Sequence, residues 1–385
     1  LSHIHSFEGL PVDFQDFQSE IQVDSPGRIN LIGEHTDYND GFVMPTAIDK
    51  KIYFEFRRNG SDHLCRIYSK TFGRGFEFDL RKIEKGIGWE NYIIGVVNEL
   101  LLLDRKLSGF DCIIESQLPV GSGLSSSAAL ECGLAGGLNA LFQLGLDRIE
   151  IVKLSQKAEN QFVGMNCGIM DQFASAISKK DHILKLDCRS LEYDFIPADF
   201  KNCQLLLLNT NVSHTHTDSG YNSRRQDCED AVSIIQQQYP AVASLRDVSF
   251  ELLEEQKNQL SERQYQRCSY VLEENKRVQE SAIALKEGKL REFGKLMYLS
   301  HEGLQHQYEV SCKELDFLVD YSHDKDFIYG SRMMGGGFGG CTINLIETDQ
   351  VENFLQEVKP AYKEAFGIEL DSIIANADEG TIVKK

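Results

Sequence analysis

The spacing of apolar residues along the chain changes several times, and each change predicts a change of element. Residues 51–57 alternate as a strand does, and 65–68 and 75–80 add short strand candidates separated by turn residues, which together predict antiparallel sheet. From 91 to 103 apolar positions recur at helical spacing, and 111–118 returns to a strand pattern. Strand, glycine-containing loop and helix then run consecutively from 112 to 142. Leu130, Leu134, Leu138 and Phe142 recur every four residues and predict a buried helix face, while Ala135, Gly136 and Gly137 leave room for a neighbouring backbone. A helix is expected over 148–164 and a shorter one over 174–178, followed by strands at 183–186 and 191–195. The apolar run 205–208, bounded by polar residues, predicts a central strand. Beyond it, helical patterns begin near 222 and recur at 251–260, 270–285 and 290–308, before sheet returns at 341–346 and 372–375. Such a mixture, with no internal repeat, predicts an α+β chain and not a regular βαβ array.

A chain of 385 residues is expected to divide into two domains of roughly 150–200 residues each. The boundary is placed near 199–203, giving domains 1–200 and 201–385 with an active site in the cleft between them. An apolar fraction of 42% with seven prolines is globular composition. The 59 acidic and 40 basic side chains give a formal charge of −19, and no basic patch offsets it, so nucleic acid is not an expected partner. No apolar stretch is long enough for a membrane span, and residues 1–9 lack a signal-peptide pattern. The expectation is therefore a cytoplasmic protein, acting as a monomer. Ten scattered cysteines without a Cys-x-x-Cys pair predict inert thiols in a reducing compartment.

Chemistry concentrates in a few places. Gly121 and Gly123 permit tight backbone geometry, and Ser125 to Ser127 set hydroxyls and N–H donors at the start of the predicted helix. The residues alone leave a phosphate cradle and a tight strand-to-helix turn equally open, and the spacing is not that of a Walker P-loop. His35 and Asp37 suit a solvated turn, a metal site or a sugar site. Glu159 reads by itself as a solvated helix residue, and Trp89, the single tryptophan, suits a core anchor as well as a ligand contact. His214 and His216 lack any adjacent ligand pattern and are not expected to hold a metal. Met333 and Met334 are expected to fill a packed turn.

Three widely separated segments carry a more specific signal: PGRINLIGEHTDYNDGFVMP at 26–45, PVGSGLSSSAALE at 119–131 and GGGFGGCTI at 335–343. Their order and content resemble the three motifs of the GHMP small-molecule kinases, and the first closely resembles the signature of the galactokinases among them. WENY at 89–92, GIMDQF at 168–173 and SGYNSRRQDCE at 219–229 are similar to galactokinase as well. The resemblance spans nearly the whole chain. It implies a two-domain GHMP kinase fold, with a left-handed βαβ element in the N-terminal domain and an α/β sandwich-like C-terminal domain.

The resemblance also implies the chemistry: ATP-dependent phosphorylation of α-D-galactose at the C1 hydroxyl, with Mg²⁺. By position, Gly121, Gly123, Ser125 and Ser126 would line the ATP phosphate loop, Ser127 and Glu159 would serve Mg²⁺, and Trp89 would face adenine. Glu34, His35, Asp37, Gly168 and Tyr221 fall at galactose-binding or neighbouring positions. Asp171 would be the catalytic base, with Arg28 beside it, although 143 positions separate the two. A lone carboxylate and hydroxyl do not complete an octahedral Mg²⁺ sphere, so phosphates and water would supply the rest. The third motif would support the cleft. Two alternatives stay open: a kinase of another sugar such as N-acetylgalactosamine, and a non-enzymatic sugar-sensing relative. Arg28 and Asp171 are both present, so the motif shows no obvious loss of catalytic chemistry.

Overall fold

The computed structural model describes residues 4–119, 121–213 and 217–385. Strand Pro45–Arg58 organises the first half, because Ile52, Phe54 and Phe56 point into the core while Tyr53, Glu55 and Arg57 alternate outward. It is flanked by antiparallel partners Ile21–Asn30 and Phe110–Ser116. The sheet continues through Leu64–Ser69, Arg74–Asp79 and His5–Glu8. Leu64–Ser69 and Phe110–Ser116 run parallel, joined through strand Arg74–Asp79 and helix Glu90–Leu102.

Strand Ile21–Asn30 is missing from the sequence expectation because Pro26 and Gly27 interrupt it. Pro26 has no N–H to give the ladder, and the register shifts between Pro26 and Arg28. That irregularity brings the backbone against the second motif: the Arg28 N–H donates to Leu124 O at 3.0 Å, and a Cβ on Gly27 would lie 2.6 Å from Leu118 Cδ2.

In the second half, the apolar run 205–208 is indeed central. It lies in strand Cys203–Ser213, between Gly339–Glu347 and Asp371–Ala375, with Ile328–Met334 at the far edge. Leu205 and Leu207 join the main core, which continues into the first half, whereas Leu206 and Leu208 pack with Leu318, Phe354 and Tyr362 on the other face. Helices Leu290–His306, Lys313–His323 and Val351–Phe366 accompany this sheet. The chain is thus a two-domain α+β structure. Among the described residues, no helix is long and apolar enough to cross a membrane.

One expected boundary needs correction. Strands Ala377–Asp378 and Ile382–Lys384 pair with Pro45–Arg58 and Ile21–Asn30, so a single division at 200/201 does not separate the last residues from the first domain. Polar contacts hold them there. Thr381 Oγ1 lies 3.0 Å from Ser25 Oγ and donates to Ser175 O at 2.9 Å, while Lys51 Nζ lies 2.9 Å from Asp378 Oδ2. Too short to show a period of its own, this segment is placed by the edge it completes.

Helix Ser126–Phe142 buries Leu130, Leu134 and Leu138 as its spacing predicts. The glycines that admit a neighbour are Gly133 and Gly137, where a Cβ would overlap the rings of Phe54 and Phe56; at Gly136 the nearest atoms would lie at 3.6 Å and 3.7 Å. Opposite outcomes are therefore expected for adjacent substitutions. Gly136→Ala should stabilise by about 0.5–1 kcal/mol through helix propensity, whereas Gly137→Ala should destabilise by about 1–3 kcal/mol through overpacking. Urea melts of the two variants measure the difference.

Candidate active site

Arg28 reaches the cleft from the irregular end of strand Ile21–Asn30, and Asp171 reaches it from the first turn of helix Met170–Ile177. Arg28 Nε donates to Asp171 Oδ1 at 2.8 Å and Nη2 to Oδ2 at 2.9 Å, a two-pronged pair that fixes the carboxylate plane. The third prong, Nη1, donates to Gly123 O at 2.7 Å. Ser125 Oγ donates to Asp171 Oδ2. One guanidinium thereby joins the 121–125 loop to the helix of Asp171.

That loop needs its glycines, since Gly121 and Gly123 both have φ of 74°, a region in which a Cβ is strained. Ser125, also left-handed at φ 57°, stands at the N-cap position of helix Ser126–Phe142 with its hydroxyl given to Asp171 and not to the helix. The backbone N–H groups of the first turn have no helical partners and make this end favourable for anionic oxygens.

On the opposite wall, Glu34 Oε1 accepts from Arg332 Nη2 at 2.8 Å and from the Gly335 N–H at 2.9 Å. Arg332 and Glu34 are 0% and 2% exposed. The rings of His35 and Tyr221 lie 5.3 Å apart between centroids, tilted by 40°. Asp37 sits in a short 3₁₀ turn, half-buried, and accepts from the backbone of Tyr38 and Met170. Any side chain at Gly168 would overlap the Asp37 carboxylate, which explains the glycine there.

Glu159 departs most from its bland reading. The expected helix 148–164 is α only over Arg148–Lys157, and at Ala158–Val163 it widens to a π-turn, turning Glu159 inward. Gln172 Nε2 donates to Glu159 at 2.6 Å, and Ser127 also bonds it. Burial, reinforced by the Asp171 charge, pushes the Glu159 carboxyl up to about 7. A second buried acid, Glu131, lies behind it and shares the Gln172 amide at 3.3 Å. No cluster of three or more His, Cys, Asp or Glu suited to a metal occurs among the described residues. Ser127 and Glu159 supply two oxygen donors, a set that fits a hard divalent ion taking its remaining oxygens from phosphate and water.

The cleft enclosed by these groups has a volume of about 250 Å³, and Arg28, Glu34, His35, Asp37, Gly123, Ser125, Ser127, Glu159, Gly168, Asp171 and Tyr221 all line it. The third motif lines it too, as residues 335–340. Gly121, Ser126 and Trp89 are not among the lining residues. Trp89 is half-buried, its ring 5.2 Å from that of Phe76 and 5.8 Å from that of the exposed Phe72. His214 and His216 lie outside the described residues. Arg332, Gln172, Glu131, Tyr38 and Tyr308 support the cleft and were not foreseen. Gln172, Glu131 and Tyr38 fall inside quoted motifs, which was the only available signal.

Comparison with known proteins decides the family. The models of the GHMP kinases N terminal and C terminal domains match residues 91–179 and 281–364, and that of the galactokinase galactose-binding signature matches 13–58. A galactokinase of Thermosipho africanus is 42% identical over 360 residues, covering 94% of this chain and 99% of that one. The galactokinase of Fusobacterium nucleatum is 41% identical, covering 97% of this chain and 98% of its own. The chain belongs to the galactokinase family of GHMP kinases. It is an ATP-dependent kinase of a small sugar. The crystal structure of Lactococcus lactis galactokinase complexed with galactose superposes with a TM-score of 0.92 at 35% identity, covering 96% of this chain and 97% of that one. Mevalonate kinase of Methanococcus jannaschii, at 21% identity and TM-score 0.65, shares the fold.

In this family member the Asp37 carboxyl is pushed up to about 6, by burial first and then by the Asp171 and Glu34 charges. A folded-state value above the ordinary 3.8 means that Asp37 contributes stability at low pH that is lost as pH rises through about 6. Melting temperatures of the ligand-free protein between pH 5 and 8 should therefore fall more for wild type than for Asp37→Asn. Parallel curves would assign the pH dependence to other groups.

Proposed function

We propose that the protein transfers the γ-phosphoryl group of ATP to the C1 hydroxyl of α-D-galactose, giving ADP and α-D-galactose 1-phosphate. The supporting observation is the position of Asp171, between the loop 121–125 and the carboxylates Glu34 and Asp37. ATP phosphates would lie along Gly121, Gly123, Ser125, Ser126 and the helix N-terminus. The sugar would lie among Glu34, Asp37, Gly168 and Tyr221, whose carboxylates accept from sugar hydroxyls. Trp89, half-buried beside Phe76, would face adenine.

Asp171 Oδ2 already accepts from Arg28 Nη2 and Ser125, whereas among the described residues Oδ1 accepts from Arg28 Nε alone. Oδ1 keeps a lone pair and is the atom that would take the C1–OH proton as the O–P bond forms. Arg28 holds the carboxylate plane and lends positive charge to a site crowded with anions. Ser127 and Glu159 would hold Mg²⁺, which when bound offsets phosphate charge. The two halves enclose the reactants, lowering the entropic cost of their encounter and limiting access of water. No covalent enzyme intermediate is needed. The proposed domains are the first sheet with its helices and the Cys203–Ala375 region, the reaction lying between them.

An ADP-release assay across galactose, 2-deoxygalactose, N-acetylgalactosamine, glucose and mevalonate tests the assignment. Turnover led by galactose is expected; a preference for N-acetylgalactosamine would move the substrate, and no turnover would favour a sensing role. Asp171→Asn should fold and bind galactose yet lose roughly 10²–10⁴-fold in single-turnover phosphoryl transfer. Near-normal chemistry in that variant would remove the base. For the cation, Ser127→Ala and Glu159→Ala should raise the Mg²⁺ concentration needed for half-maximal rate while sparing galactose binding by calorimetry. An unchanged Mg²⁺ dependence in both would take these residues out of that role.

A further inference from the structure

His35 lines the cleft, yet both of its ring nitrogens are already engaged within the protein. Nε2 lies 3.2 Å from the carbonyl oxygen of Gly336, a group that only accepts, so Nε2 carries the proton. Nδ1 is then bare and accepts from the Tyr38 hydroxyl at 2.8 Å. The Tyr38 oxygen in turn accepts from the Tyr308 hydroxyl at 2.8 Å, and Tyr308 accepts from the Cys228 thiol at 3.3 Å. Every donor points one way, from Cys228 through Tyr308, Tyr38 and His35 to Gly336. A neutral ring is consistent with burial, which drives the His35 value down to about 3.

The chain of bonds ends on the glycine loop of the third motif. The adjacent Glu34 holds the preceding residue of that loop through the Gly335 N–H. Glu34 and His35 thus grip two consecutive loop residues, one by its donor and the other by its acceptor. On its other side the same loop abuts the 121–125 loop: a Cβ on Gly335 would lie 3.6 Å from Gly123 O, and one on Gly340 3.6 Å from Ser122 O. Neither Tyr38 nor Tyr308 lines the cleft.

We propose that Tyr38 and Tyr308 are positioning residues that act through His35 to hold the 335–340 loop against the 121–125 loop, setting the sugar and phosphate sides of the cleft in one register. The inference rests on the sugar and ATP sites proposed above and adds residues that touch neither ligand. His35 then serves as a clamp on Gly336, its ring nitrogens closed to sugar hydroxyls. A hydroxyl removed nearer to Gly336 loosens the loop more than one removed farther away, because each bond orients only the next.

Conservative variants test this in the full chain. Tyr38→Phe should lower kcat by about tenfold and Tyr308→Phe by about threefold, the range of one neutral hydrogen bond, while KM for galactose stays within about twofold. Cys228→Ala, at the far end, should have the smallest effect. A merely structural role would track melting temperature instead of this order. Unchanged kcat in Tyr38→Phe, or a larger loss in Tyr308→Phe than in Tyr38→Phe, would overturn the proposal. Independently of any substrate, ¹⁵N spectra of the histidine side chains, with His35→Gln to assign the signal, should show Nε2 protonated and Nδ1 bare from pH 5.5 to 8. The opposite tautomer, or a ring titrating in that range, would equally overturn it. Failure of wild type to phosphorylate galactose would fall on the proposed substrate, and the ring spectrum would still decide the clamp.

Discussion

The Arg28 guanidinium ties three elements together at one point: the irregular strand Ile21–Asn30, the 121–125 loop and helix Met170–Ile177. A guanidinium suits this task better than an ammonium, since its fixed fork gives two bonds to a carboxylate and leaves a third N–H for a carbonyl. Its burial is tolerable only because every prong is used. The Pro26–Gly27 irregularity is what aims the side chain into the cleft, so a local departure from regular sheet becomes the means of assembling the site.

A second buried ion pair joins the two halves of the molecule. Arg332 bonds Leu31 O at 2.8 Å, Asn30 O at 2.6 Å and Glu34 at 2.8 Å, so a side chain of the second sheet completes the hydrogen bonding of the first motif. Such a pair contributes little net stability, because desolvation offsets most of the Coulombic gain. Its value is geometric: replacing either partner leaves a buried charge unpaired, so competing arrangements of the two halves are disfavoured. Glu274 acts similarly from helix Glu262–Lys286, accepting from the Gly33 N–H at 2.9 Å while paired to Arg277 at 2.6 Å.

The parts legible in the sequence are those where chemistry demands unusual residues at short spacing. The glycine and serine run at 121–127 and the charged run at 28–37 stand out for that reason, and the cleft gathers Gly123, Ser125 and Ser127 of the first with Arg28, Glu34, His35 and Asp37 of the second. Arg332 was not legible, because an arginine within a strand-like stretch reads as a surface charge until a partner 298 positions away is known. Tyr308 carries no local signal, since its neighbour Tyr38 is brought to it only by the tertiary fold. Trp89 is legible only through the resemblance: the structure sets it half-buried beside Phe76 and the exposed Phe72, a setting that by itself selects no ligand. The terminal strands were missed for a similar reason, their position being decided by the sheet edge they complete.

The crowding of acids at the cleft gives these contacts a common purpose. Glu34, Asp37, Glu131, Glu159 and Asp171 converge in a protein whose formal charge is −19, and Asp37 and Glu159 are both pushed towards the neutral form by burial and by the Asp171 charge. Left alone, such a group of carboxylates would push apart or draw in water. The fixed cations Arg28 and Arg332, the Gln172 amide and backbone N–H donors hold it in place with the acids only partly neutralised. On the proposed reading, the free energy that opposes full ionisation would be released as a cation and hydroxyl donors enter, making ligand binding and completion of the site's charge balance one event. A rigid frame is therefore required, because a flexible one would relieve the crowding by moving the acids apart and so dissipate the preference for ligand.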